Sequence, residues 1–414
     1  MTNSRLSWML GLICAMGSAA MAGDWPQWRG PDRSDVSQET GLLKEWPEGG
    51  PKRLWLNEDV GLGYSGVAIV GDNLFTMGAR DNVEFLICVD VNTGVEKWAT
   101  QIGKKLDNKW GDGPRGTPTV SGPNVYALGG TGDLICAQID GGKELWRANM
   151  VELGGKIPGW GYCESVLVDG PRVLCTPGGD KGAIVAFNKE SGEILWRTTD
   201  LKNGAQYSSI VPAVFHGQAQ YVQLFTDDVA GISPEDGRLL WKAPWPGKTA
   251  VIPTPVCHDD HVFVTSGYGV GCTLIKIDAD NKASEVYFNK NMKNHHGGVL
   301  LVGDYIYGHS DGVGWLCLNF KTGEIAWNGR GVLGKGCLTY ADGMIYCIDE
   351  GNGEVALAEA SPSGWNEHGR FRLDPQTKRR SPSGRIWTHP VVSNGKLFLR
   401  DQDLLSCYDI KATP

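Results

Sequence analysis

The chain lacks the features that most quickly assign a protein to a class. No internal run approaches the roughly 18 apolar residues of a membrane span. Basic clusters are missing apart from Lys378-Arg379-Arg380, which lies in a polar Pro/Ser stretch and reads as a solvated loop. With a formal net charge of −8, that absence argues against a nucleic-acid partner or an anionic membrane surface. No Cys-x-x-Cys-His occurs, so covalent haem attachment by that signature is excluded. No Ser/His/Asp constellation can be placed, because every histidine has a comparable claim. Gly267-Tyr268-Gly269-Val270-Gly271 imitates a dinucleotide fingerprint but joins strands and opens no helix.

Glycine (58 residues) and tryptophan (16 residues) are plentiful, and they recur together. Gly94/Trp98, Gly142/Trp146, Gly192/Trp196, Gly237/Trp241 and Gly323/Trp327 each place a tryptophan four residues after a glycine. The tryptophans are 48, 50, 45 and 86 residues apart, the last interval spanning a degenerate copy. A period of about 40–50 residues with several short strands per unit is the mark of a β-propeller. Eight hairpins with tight Gly/Asp/Asn turns can be counted, from Val67–Phe75 to Thr388–Phe398. Each is followed by a third strand and then the Gly-x-x-x-Trp strand. Phe288 and Phe371 are expected where blades five and seven lack a tryptophan.

The eighth unit stops after its third strand, Asp403–Asp409, while Lys52–Asn57 offers a spare outer strand at the other end. The expected architecture is therefore all-β: eight four-stranded antiparallel blades, the last closed by the N-terminal strand. Residues 1–22 read as a signal peptide, with Arg5, an apolar Leu6–Ala15 stretch and Ala20-Met21-Ala22 before the cut. Residues 23–51 then form an N-terminal extension and 52–414 the propeller. A periplasmic or secreted protein is expected.

Ten cysteines remain after such cleavage. Cys88, Cys136, Cys317 and Cys407 share one third-strand position in different blades, so they cannot reach one another and behave as small core residues. Cys163 and Cys175 flank the Asp169-Gly170 turn and could face each other across a hairpin, although directly opposed strand cysteines make strained bridges.

Asp90–Trp98 and Asn319–Trp327 resemble the repeat of the pyrroloquinoline-quinone (PQQ) propellers. Asn188–Trp196 fits with Ser191 for Thr, and Ser233–Trp241 fits more loosely. The opening Asp24-Trp25-Pro26-Gln27-Trp28-Arg29-Gly30-Pro31 is similar to the start of many secreted PQQ-like propellers. The resemblance implies that the repeat tryptophans, Trp55, Trp98, Trp146, Trp196, Trp241 and Trp327, are structural clasps between blades. It also implies two opposed functions. Quinoprotein alcohol dehydrogenases, including polyvinyl-alcohol types, hold PQQ and calcium at the axis between a Trp and a disulfide of adjacent cysteines. The propeller lipoprotein of the barrel-assembly machinery binds no quinone. This chain has no adjacent cysteine pair. A binding module without a cofactor is thus the expectation, with a PQQ- and Ca²⁺-dependent dehydrogenase as the alternative.

Propeller ligands gather where loops enter the innermost strands. The candidates there are Trp110, Asp112, Arg115, Tyr162, Glu164, Tyr207, His295, His296, Lys335, Trp387 and His389. Such an aromatic and charged ring suits a small molecule, a carbohydrate or a protein at the propeller face, or else plugs the channel with its own side chains. Metal binding at His295-His296 is disfavoured, because neighbours on a strand point to opposite faces and only one could face the axis. Glu164 with Asn294 or Asp112 has oxygen donors for calcium but no supporting spacing.

Overall fold

A computed structural model describes residues 23–412. The proposed signal peptide lies outside the described residues. The strands form eight sheets arranged as the blades of a propeller. Blade one runs from Ala68–Val70 at the axis through Asn73–Arg80 and Val83–Asp90 to Glu96–Lys104 at the rim. The other inner strands are Thr119–Ser121, Leu167–Asp169, Val211–Phe215, Val256–His258, Val299–Val302, Gly336–Ala341 and Val391–Ser393. Lys52–Asn57 closes blade eight as its outer strand, pairing antiparallel with Leu404–Asp409 (Lys52 opposite Asp409, Trp55 opposite Cys407). An N-terminal and a C-terminal strand thus share one sheet, which leaves no open seam between the first and last blades. Blade seven carries a fifth strand that the repeat pattern does not announce: Val36–Ser37 runs parallel to Gly336–Ala341.

The apolar core lies between blades, and the repeat explains how it is sealed. The indole of one blade's outer strand rests on the repeat glycine of the next. A Cβ on Gly94, Gly142, Gly192 or Gly237 would come within 2.4–2.7 Å of Trp55, Trp98, Trp146 or Trp196 respectively. All four glycines have φ between +67° and +74°, a conformation glycine adopts without strain. Each indole N–H then donates to a backbone carbonyl of the neighbouring blade: Val91, Ile139, Lys189 and Pro234, at 2.9–3.1 Å. Trp327 donates likewise to Ser361 (2.8 Å). Trp241 departs from the rule and donates within its own blade, to Gln220 Oε1 (2.6 Å).

Two substitutes differ from expectation. In blade five Tyr287, not Phe288, takes the tryptophan's place. Its hydroxyl donates to the Phe320 carbonyl (2.9 Å) and its ring covers Gly323, whereas Phe288 is exposed. The bulge opposite Leu274 and Ile275 sets which residue faces inward. In blade seven Gly369 occupies the corresponding ladder position, and Trp46 from the N-terminal segment packs over it. Phe371 is buried beside Trp46, 5.2 Å between ring centroids, and covers Gly50.

All ten cysteines of the described residues are free. Cys175 lies against Met150 and Cys163 turns toward the Trp160 carbonyl, so the two thiols do not meet across the hairpin.

Candidate functional site

The channel along the propeller axis is plugged by the chain's own N-terminal segment. Trp25 exchanges backbone hydrogen bonds with Ile69 of blade one, and Pro26 accepts from Val120 N of blade two. Arg33 donates to the Ser165 and Val166 carbonyls of blade three. Trp28 Nε1 donates to Thr254 Oγ1 of blade five (3.0 Å), and Arg29 Nη2 to the Val299 carbonyl of blade six (2.5 Å). Asp35 O accepts from Tyr340 N of blade seven, and Gly23 O from Ser393 Oγ of blade eight. Arg29, Arg33 and Asp35 are almost wholly buried and hold positive φ, strain that persists where surrounding bonds over-determine the backbone. Asp35 pairs with Arg29 at 2.9 Å. Burial draws the Arg33 guanidinium down to about 10, with Glu164 opposing the fall.

Above this plug lies a cavity of about 190 Å³. Seven of the eight inter-blade connections reach it, and Trp28 and Arg29 contribute from the plug. One wall is a run of rings: Trp110 to Trp387 (6.4 Å between centroids), Trp387 to His296 (5.8 Å), His296 to His295 (5.3 Å) and His295 to Tyr268 (4.9 Å). Trp160 meets Tyr207 edge-on at 5.6 Å, and Trp28 lies 4.6 Å from His389. Both histidines of the His295-His296 pair line the cavity. They sit in a bend that Gly298 (φ +70°) turns into the following strand, so the alternation assumed for a strand does not apply.

Charges behind the wall fix its hydrogens. Lys335 Nζ pairs with Asp311 (2.8 Å) and donates to His295 Nδ1 (2.8 Å). His295 therefore carries its hydrogen on Nε2 and donates to the Tyr268 hydroxyl (2.9 Å). The Tyr268 O–H is left as a donor at the rim, on a residue held at φ +56°. Burial and then the Lys335 charge hold His295 down to about 4. His296 lies 3.1 Å from Glu350, which also accepts from Trp387 Nε1 (2.8 Å). Burial lifts the Glu350 carboxyl above its ordinary range.

Of the eleven candidates, Trp110, Arg115, Tyr207, His295, His296, Trp387 and His389 come together at the cavity. The other four stand elsewhere. Asp112 is turned to Lys105 (2.9 Å). Tyr162 is buried in the core between blades two and three, its hydroxyl on the Pro177 carbonyl. Glu164 accepts from Thr176 N and Oγ1, and burial raises its carboxyl to about 7. Lys335 backs His295 from behind. Trp28, Arg29, Tyr64, Trp160 and Tyr268 line the cavity as well; of these, sequence reasoning did not place Trp28, Arg29 or Tyr268 at the mouth. The only signal for the first two is the density of Trp and Arg in the opening twelve residues of the described chain.

Among the described residues no Asp or Glu lines the cavity, and no group of three or more His, Cys, Asp or Glu could hold a metal ion. Calcium takes six to eight oxygens, carboxylates foremost, so this wall does not fit the calcium-bound quinone of the dehydrogenases.

Residues 84–329 match the family described as outer membrane protein assembly factor BamB. The chain belongs to this PQQ-propeller family. No curated protein matches it in sequence. Among solved structures, BamB from Moraxella catarrhalis is similar at 15% identity and TM-score 0.61, over 88% of this chain and 98% of that one. Quinohemoprotein alcohol dehydrogenase from Comamonas testosteroni is similar at 11% identity and TM-score 0.64, over 96% and 82%. The computationally designed Ika8 protein is similar at 11% identity and TM-score 0.57, over 87% and 100%. At such identities these likenesses establish the fold alone. No helix of the described residues is long and apolar enough to cross a membrane.

Proposed function

We propose that this propeller is an exported binding module that takes a small molecule into its plugged axial mouth. The observation that carries the reading is the aromatic cavity of about 190 Å³, served by seven inter-blade connections over a floor the chain itself supplies. A concave, mostly apolar site with a few convergent polar groups is the usual form of a ligand pocket. Trp110, Arg115, Tyr207, His295, His296, Trp387 and His389 are its wall, and the Gly-x-x-x-Trp tryptophans are structural. A protein partner at the propeller face is the second reading, supported by the match to an assembly factor. Export is supported by the reading of residues 1–22, and the exported protein should begin at Gly23.

The test is uptake of a ligand panel by the purified protein, followed through indole fluorescence and calorimetry. Small aromatic compounds should bind and Trp387→Ala should abolish the signal. PQQ with Ca²⁺ should show neither stoichiometric uptake nor alcohol-dependent dye reduction. Micromolar PQQ binding lost in Trp110→Ala would establish the dehydrogenase instead. Failure of the whole panel would favour the protein partner.

A further inference from the structure

We infer that the ligand is a single aromatic ring bearing a carboxylate, and that Arg115 binds the acid. The inference rests on the axial cavity being a ligand site and adds the chemistry of its occupant. Arg115 is held by two backbone carbonyls: Nε donates to Trp160 O (2.6 Å) and Nη2 to Gly111 O (2.7 Å). Its guanidinium lies 5.0 Å from the centre of the Tyr64 ring. No Asp or Glu of the described residues comes within ion-pair distance of it; the nearby Asp112 is engaged by Lys105 and by Asn108 N. Nη1 makes no hydrogen bond among the described residues and is not among their side-chain nitrogens buried without a partner. Three of the five guanidinium hydrogens thus remain, and the Nη1/Nη2 end is a rigid fork matched to a carboxylate.

The rest of the wall decides between anions and other ligands. An organic cation would find aromatic faces but no acid, and would meet the unpaired Arg115. A sugar would find no Asp, Glu, Asn or Gln along the lining for its hydroxyls, and unmatched polar groups are costly to bury. An apolar cavity of about 150 Å³ takes up benzene. The volume of about 190 Å³ therefore fits one ring with one small polar group. Trp110, Trp160 and Trp387 supply the faces against which such a ring would lie. The overall charge of −8 makes this electropositive pocket a local exception that selects for the acid group.

The purified protein titrated with benzoate, and separately with the uncharged benzyl alcohol, tests the assignment. Benzoate should bind about 10–100-fold more tightly, the range expected of a charged hydrogen-bonded contact. Arg115→Met should bring benzoate down to the level at which the same variant binds benzyl alcohol. Arg115→Lys, which keeps the charge without the fork, should retain part of the preference and lose it with added salt. That variant also carries the test if the Met variant does not fold. Equal binding of both rings to the unmodified protein, or a benzoate preference surviving in Arg115→Met, would overturn the anion assignment and leave the cavity as a ligand site. Binding of neither ring would overturn both.

Discussion

The contact between Trp146 and Gly192 gives the repeat a quantitative test. Trp146 is 9% exposed and lies between Tyr126 and Phe187, at 6.0 and 6.2 Å between ring centroids. Its N–H donates to Lys189 O (2.9 Å), and a Cβ on Gly192 would lie 2.7 Å from the indole. Trp146→Ala should destabilise by about 3–5 kcal/mol, the range for truncating a large buried aromatic. Gly192→Ala meets two separate costs. An alanine at φ +73° costs about 1–2 kcal/mol, and the forced overlap with the indole adds about 1–3 kcal/mol. In the double variant the indole is gone, so the overlap vanishes and only the backbone cost remains. The double variant should therefore be about 1–3 kcal/mol less destabilised than the sum of the single changes. Urea midpoints at constant slope measure the cycle, and ligand affinity should stay unchanged throughout. Additivity within about 0.5 kcal/mol would show that the indole does not rest on the glycine. A loss of ligand binding at unchanged stability would place Trp146 in a site and not in the clasp.

Deleting Gly23–Asn57 removes the plug, Trp46 and the closing strand together, so the protein should aggregate or lose its cooperative melt; melting as sharp and as high as the parent would refute the closure. Glu164 is fully buried with its carboxyl raised to about 7, so the folded state holds a proton there between about pH 4.5 and 7 that the unfolded chain releases. Its contribution is present below about 4.5 and lost as pH rises to 7. Glu164→Gln should gain about 3 kcal/mol on the parent across that interval, and a pH-independent difference would refute the buried acid. His295 and His309 are each held down to about 4, which acts in the opposite sense: their contribution is present above about 6.5 and fades as pH falls toward 4. Replacing both with Gln should flatten the acid limb of the stability profile. Thiol titration in denaturant should count Cys163 and Cys175 among the free cysteines, and a protected pair would contradict their separation.

The blade count was legible because the sequence repeats one contact, a glycine of positive φ beneath an indole, at nearly even intervals. That regularity also explains the error at Phe288. Blade five lacks the repeat glycine, so spacing has no anchor there to show that Tyr287, not Phe288, lies beside the bulge. Blade seven was illegible for another reason. Trp46 fills its gap from more than 300 residues upstream of Gly369, where no periodicity links the two. The mouth of the channel was legible in outline, since the topology carries every inter-blade connection there and those connections are unusually aromatic. Which of their side chains turn inward was not. Tyr162 and Glu164 lie beside Cys163, yet Cys163 alone of the three lines the cavity.

The least legible feature, the plug, is the one that makes the cavity. Open propeller axes are channels, and a channel of this kind exposes any ligand to water from both ends. Here one short irregular segment bonds to the inner ends of seven blades and places Trp28 and Arg29 beneath the ligand space. Because it makes only a few bonds to each of many blades, it carries no strand alternation that a sequence pattern could reveal. The same chain continues through Val36–Ser37 in blade seven and Trp46 to the closing strand Lys52–Asn57. Closing the ring and flooring the site thereby fall to one continuous segment. A change that loosens the last blade should also loosen the cavity floor, so ligand affinity and the integrity of blade eight should vary together.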